Sequence, residues 1–299
     1  MAKLLLIAGL VLLTSCSRLE LGYRNLDWLI PWSMDNYVSL TREQKAWLKP
    51  RLTQHIAWHC QSQLPRYADW LQRSATLVAE PKPDAEQFEA QFRAFRLAVD
   101  DIVVQVTPDL TELLQGMSAA QVQELEENLA KQNKEQREDY LDVPLDEQIN
   151  ERGERMAERI KPWFGRLHPE QKARVNAWAQ ELGNYNQGWL DNNLRWQQAF
   201  LAAVKDRKSA QFPAQVQHLL QARMSVWTPA YQQQFDGAQV ALGRLFADLV
   251  ASADATQRER LQERLQGLRK QLADMSCTEG SNAITASATS TQSAASPAL

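Results

Sequence analysis

Few side chains in this 299-residue sequence are suited to chemistry: three cysteines, Cys16, Cys60 and Cys277, and four histidines, of which His55 and His59 stand four residues apart. That spacing puts two imidazoles on one face of a helix, which is half of a helical zinc site. The other half is missing. The same face carries Arg51 and Arg66, which repel a divalent cation, and no acid, so the expectation is a structural pair at the edge of a core and no metal. The sequence holds no G-x-S-x-G elbow, Gly-rich phosphate loop, C-x-x-C or H-E-x-x-H. Neighbouring acids such as Asp100 and Asp101 point about 100° apart on a helix and cannot share a proton. An enzyme is the least supported class. No catalytic residue and no cofactor are expected.

Cys16 has a different setting. Met1, Ala2 and Lys3 precede an apolar run from Leu4 to Leu13, and Leu13-Thr14-Ser15 leads into the cysteine. A run of about ten residues is too short to span a bilayer, which takes about 20, but it suits the apolar stretch of a signal peptide. The small residues before Cys16 resemble a lipobox, where a bacterial lipoprotein precursor is acylated and cut. Residues 1–15 are therefore expected to be a signal peptide, with lipid on Cys16 as the membrane contact. Ser17 is not the Asp that commonly retains lipoproteins in the inner membrane, so the resemblance implies the periplasmic face of the outer membrane.

That compartment is oxidising, and it holds the two remaining cysteines. An even pair suggests a disulfide between Cys60 and Cys277. The entropic model gives such a long loop up to about 5 kcal/mol of stabilisation. Two free thiols, one of them in the core, is the alternative reading.

The elements that would position these residues read as helices throughout. After an aromatic entry segment with Tyr23, Trp28, Trp32 and Tyr37, expected to pack on the protein's own core rather than at a membrane interface, apolar residues recur at threes and fours from Leu48 to Leu71. Cys60 lies on that stripe, and Pro50 and Pro65 predict kinks or breaks in it. Asp84 and Gln87 form a capping box for a helix through Phe88, Phe92, Phe95, Val99, Ile102 and Val106, after which Thr107-Pro108 opens a new turn of helix. Ser118 with Gln121 starts the next, Pro144 precedes a mostly charged helix ending near Pro162, and His168-Pro169 opens the longest, of about eight turns, weakened by Gly183 and Gly188. Helices through Val216 to Trp227, from Thr228-Pro229 to Leu249, and from Asp254 to Leu272 follow, with Cys277 just past the end. Residues 278–299, rich in Ser, Thr and Ala, read as a disordered tail.

One local pattern occurs four times: an apolar or small residue, a cap, two more residues and a glutamine, with caps at Thr41, Ser118, His168 and Asp254. The spacing is uneven, so this is helix-start chemistry and not a tandem solenoid. Leu40-Thr41-Arg42-Glu43-Gln44 also resembles the signature of cradle-shaped periplasmic stress chaperones, which makes a chaperone the runner-up function. A longer resemblance, carried by Tyr23 to Trp28, by Leu40 to Gln44 and by Trp58-His59-Cys60 through Leu64-Pro65-Arg66-Tyr67, is to an uncharacterised family of Gram-negative lipoproteins, a domain of unknown function. In that family an Arg commonly follows the Trp-His pair; Cys60 departs from this, which favours a disulfide particular to this branch. The resemblance implies localisation and fold and carries over no catalytic residue.

Composition agrees with an all-α fold: 44% hydrophobic residues, with only 11 glycines, suffice for one sizeable core or two small ones. The formal charge is −3, or −4 without the leader and its Lys3, and no basic run exists to grip phosphates, so nucleic acid is excluded as an expected partner. The expectation is an irregular bundle of eight or nine helices over residues 16–277, periplasmic and held by lipid on Cys16. Its expected role is non-enzymatic: binding an envelope protein or component, or structural.

Overall fold

A computed structural model describes residues 17–275 and Cys277; Cys16, the leader 1–15 and the tail 278–299 lie outside the described residues. These hold eleven α-helices and no strand, so the fold is all-α with more helices than the eight or nine expected. In chain order they are α1 Ser17–Arg24, α2 Leu26–Met34, α3 Arg42–Ala79, α4 Ala85–Gln115, α5 Ala119–Tyr140, α6 Leu145–Phe164, α7 Pro169–Glu181, α8 Tyr185–Lys205, α9 Phe212–Gln221, α10 Pro229–Ala251 and α11 Ala255–Asp274. A 3₁₀ turn, Arg223–Val226, follows α9, so the helix expected to run to Trp227 ends early.

Two hydrophobic clusters form along the long helices α3 and α4. One gathers the C-terminal part of α3 (Leu71, Val78), Phe88, α6, α10 and α11; the other gathers Leu40, Leu113, Met117, α5, Val204 and α9. A helix of 38 residues is about 57 Å long, so α3 serves both. Pro50 and Pro65, where kinks or breaks were expected, lie inside α3, which does not break at either, and Pro108, where a new start was expected, lies inside α4. An interior proline costs about 3 kcal/mol. The residues that α3 buries from Leu52 to Val78, and that α4 buries at Phe88, Ala98, Leu113 and Leu114, outweigh it.

The opposite happens in the element expected to be longest. It splits into α7 and α8 at Gly183, whose φ of +48° is a left-handed conformation that glycine adopts without strain. Arg152, buried in α6, supplies the reason. Its guanidinium donates to the carbonyls of Ala179 and Gly183, at 2.9 and 3.0 Å, and to Asn186 Oδ1 at 3.1 Å. A cation thus satisfies the carbonyls at the C-terminal end of α7.

The four repeated helix starts also do more than cap. Thr41, Ser118 and Asp254 each make a full capping box with the following glutamine, and the His168 N–H donates to Gln171 Oε1. The glutamines then pair by twos. Gln44 and Gln121 exchange reciprocal amide bonds of 3.2 and 2.7 Å, and Gln171 and Gln257 exchange bonds of 2.9 and 3.0 Å. In each clasp the second glutamine also donates to the carbonyl just before the first motif's apolar residue, Ser39 or Arg166, both at 2.9 Å. Leu40 and Met117 enter one core, Leu167 and Ala253 the other. Each core is therefore closed by one glutamine clasp.

Helix α11 packs on α3 and runs back along it, since Arg258 donates to the Glu80 carbonyl and Gln262 to that of Ala75. Two helices rising about 1.5 Å per residue from that point reach the level of Cys60 and Cys277 together. The two cysteines form a disulfide, with Cα atoms 5.6 Å apart and a sequence separation of 217. Of the entry aromatics, Tyr23 packs on the body, donating from its hydroxyl to the Ile56 carbonyl at 3.2 Å. Trp28 and Trp32 do not: they are 61% and 59% exposed, stacked on each other at 6.0 Å, and α2 buries no residue. Their expected packing on the core is corrected. Trp28 and Trp32, four apart, share one face of α2, and because α2 lies on α3 with its other face, that one is left to solvent.

Candidate functional site

Five helices converge on an apolar cavity of about 390 Å³. Each lines it with residues at helical spacing: Trp70, Ser74 and Val78 of α3, Phe88 and Phe92 of α4, Met156, Ile160 and Trp163 of α6, Leu242, Phe246 and Val250 of α10, Leu261 and Leu265 of α11. Aromatic rings meet at angles along one wall, Phe92 edge-on to Phe246 with centroids 5.3 Å apart and Phe88 tilted to it at 6.0 Å. Gly243 lets α10 approach α4 closely: a Cβ there would stand 2.8 Å from the Ala85 carbonyl oxygen. Large flat rings on helices held by such fixed contacts leave space that no side chain fills.

The cavity's polar groups are few: Ser74, Gln91 and Arg159. Trp70 Nε1 donates to the Gln91 carbonyl at 2.9 Å, which orients the indole. The Gln91 side-chain oxygen is buried and has no hydrogen-bond partner, an unfavourable state costing about 1–3 kcal/mol. Arg159 is exposed and makes no ion pair among the described residues. Arg264 lies over the Trp163 ring at 5.9 Å from its centroid and is likewise without an ion pair. The site has the form of many small-molecule pockets, an apolar interior with a few polar groups at defined points, and its volume lies at the small end of their range of about 300–1,000 Å³.

None of these residues stood out in sequence as more than core. Phe88 and Phe92 read as a buried stripe and α6 as a mostly charged helix. The aromatic residues spaced along α3, α4 and α6 are the one signal that could have pointed here, since they supply most of the rings in its wall.

The residues that did stand out lie elsewhere. Cys16 is outside the described residues. His55 Nε2 lies 2.7 Å from Asp109, an acid that α4 supplies and that the face of α3 alone could not reveal; Arg51 pairs with the same carboxylate at 3.3 Å. His59 has different partners, with its Nδ1 3.0 Å from the Tyr23 hydroxyl and its Nε2 3.2 Å from that of Tyr67. Burial lowers the His59 pKa and raises those of both tyrosines, Tyr23 to about 12. All three are therefore neutral near pH 7. The two histidines face different partners, and among the described residues no three His, Cys, Asp or Glu side chains come together as a metal site. Asp100 and Asp101 do diverge, one to Arg223 and the other to Arg66. Gln44 of the chaperone-like motif is engaged by Thr41 and Gln121.

A model of the DUF6279 family, a family of unknown function, matches residues 36–232. The chain belongs to that family. The matched span includes Leu40 to Gln44 and Trp58 to Tyr67 but not Tyr23 to Trp28, and it extends well past Tyr67, the last of the residues that carried the resemblance. It covers one glutamine clasp in full and the first half of the other, and the α3, α4 and α6 walls of the cavity; the α10 and α11 walls lie beyond it. No curated protein and no solved structure matches the chain.

Proposed function

We propose that this family member is a lipid-anchored periplasmic protein of the Gram-negative outer membrane, held through Cys16, whose helical body binds an apolar envelope component without transforming it. The cavity between α3, α4, α6, α10 and α11 carries the binding part of this reading. Its wall offers one hydroxyl, one amide and one guanidinium, which suits holding a ligand rather than proton transfer or nucleophilic attack. The signal-like leader and lipobox support the anchor, and the Cys60–Cys277 disulfide fits an oxidising compartment. Exposed Trp28 and Trp32 begin only a dozen residues after Cys16, and amphipathic rings of this kind favour the headgroup level of a bilayer, so α2 is read as resting there. No helix among the described residues is long and apolar enough to cross a membrane. The chaperone reading is not carried further, because Leu40 to Gln44 is occupied by the fold's own bonds.

Two measurements test the two halves separately. Cys16→Ala should leave an unprocessed or mislocalised precursor in membrane fractionation; normal processing and outer-membrane retention would end the lipoprotein reading. The neutral apolar dye N-phenylnaphthylamine should bind the folded chain saturably at one site, and Ser74→Phe, which fills the cavity, should remove that signal while the helical circular dichroism stays unchanged. Absence of saturable binding would end the ligand reading.

A further inference from the structure

The geometry points to a long-chain carboxylate, a fatty acid with its single chain inside the five-helix cavity and its head at Arg159 and Arg264, as the ligand of this site. This rests on the proposal that the cavity binds a ligand.

The interior decides the tail. Apart from Ser74 and Gln91 the inner wall is aromatic and aliphatic. Burying apolar surface there is favourable at roughly 25 cal/mol per Å², whereas a polar interior group of the ligand would lose its hydration with almost nothing to replace it. A volume of about 390 Å³ gives room for one chain and not for a two-chain lipid.

The rim decides the head. Among the described residues neither Arg159, which lines the cavity, nor Arg264, which lies against its Trp163 wall, makes an ion pair, so both guanidinium groups are available to a ligand. A planar guanidinium presents paired donors that match a carboxylate, and bonds between ionised partners are roughly twice as strong as neutral ones. Two unpaired cations beside one apolar opening are complementary to an amphiphile with a negative head. The buried Gln91 side-chain oxygen is a further polar point without a partner and, as an acceptor, could take only a hydroxyl or N–H of a ligand.

The test uses the chain from Ser17 to Leu299, which contains the whole described fold and carries no acyl group of its own. Bound N-phenylnaphthylamine is displaced with palmitate and, separately, with hexadecanol, which has the same tail and a neutral head. Palmitate is expected to displace the dye at one equivalent and about tenfold more tightly than hexadecanol, the 1.4 kcal/mol of one modest charge-assisted contact. Arg159→Gln combined with Arg264→Gln should abolish that preference without moving hexadecanol, and 0.5 M salt should shrink it. Both side chains are exposed, so the double variant keeps its fold. If the dye binds but palmitate and hexadecanol are equal, or the double variant keeps the preference, the fatty-acid inference is overturned and the apolar-ligand reading stands. If the dye itself does not bind, both fall together.

Discussion

The clasp between Gln171 and Gln257 allows a quantitative forecast. Gln171 is fully buried, and replacing it with Leu keeps the volume close while deleting three bonds of ordinary length, the amide pair with Gln257 and the cap on the His168 N–H, besides a donation to the Ser252 hydroxyl that at 3.5 Å is too long to add much. Gln257→Leu deletes four, the same pair plus those to the Asp254 N–H and the Arg166 carbonyl. At about 1 kcal/mol for each net hydrogen bond, the single variants lose about 3 and 4 kcal/mol. The double variant loses five distinct bonds, because the amide pair is shared, so it should lose about 5 kcal/mol and show a coupling of about 2 kcal/mol in a double-mutant cycle. For a chain of this size that places Gln171→Leu roughly 6–12 °C below the parent in melting temperature. Urea titrations of the four proteins, followed by circular dichroism, supply the free energies. Gln44 is only half buried, so the same cycle at Gln44 and Gln121 should give a smaller coupling. Strict additivity at Gln171 and Gln257, or a larger effect at the more exposed clasp, would refute the argument that these amides hold the cores closed.

Replacing Cys60 and Cys277 together with Ala should lower stability by up to about 5 kcal/mol through the entropy of a 217-residue loop, read as a fall in melting temperature; a change within about 2 °C would show that the bond does not tie α11 to α3. Arg152→Met should cost about 2–4 kcal/mol, since it strips the carbonyls of Ala179 and Gly183 and leaves Asn186 without its donor; chemical denaturation checks it, and a loss under 1 kcal/mol would mean water replaces the guanidinium easily. Burial depresses the His59 pKa below its ordinary 6.5, so the unfolded chain binds more protons than the folded one in that range. The stability His59 allows is complete above about pH 6.5 and falls as pH drops through its folded value; His59→Gln should flatten the stability profile between pH 7 and 5, and an unchanged slope would place its origin elsewhere.

Much of the architecture was legible in the sequence because it depends on neighbours along the chain. Helical spacing of apolar residues and the capping boxes at Thr41, Asp84, Ser118 and Asp254 depend on residues at most four apart, and the helices start where those boxes stand. The pairing of Cys60 and Cys277 could be suggested because the chain offers only one further cysteine, and that one is bound up with the leader. What remained hidden depends on residues far apart. No local rule says that a helix passes through Pro50, Pro65 and Pro108 yet breaks at Gly183; burial of the α3 and α4 faces decides the first, and a guanidinium arriving from α6 decides the second. The glutamine that caps its own helix has amide capacity left over, but which other glutamine it meets follows only from how the helices are brought together. Asp109 beside His55 and the exposure of Trp28 and Trp32 have the same origin. The cavity is the extreme case. Sequence periodicity identifies which residues face inward, and only the tertiary packing of five rigid, ring-bearing helices determines that they face a space they do not fill.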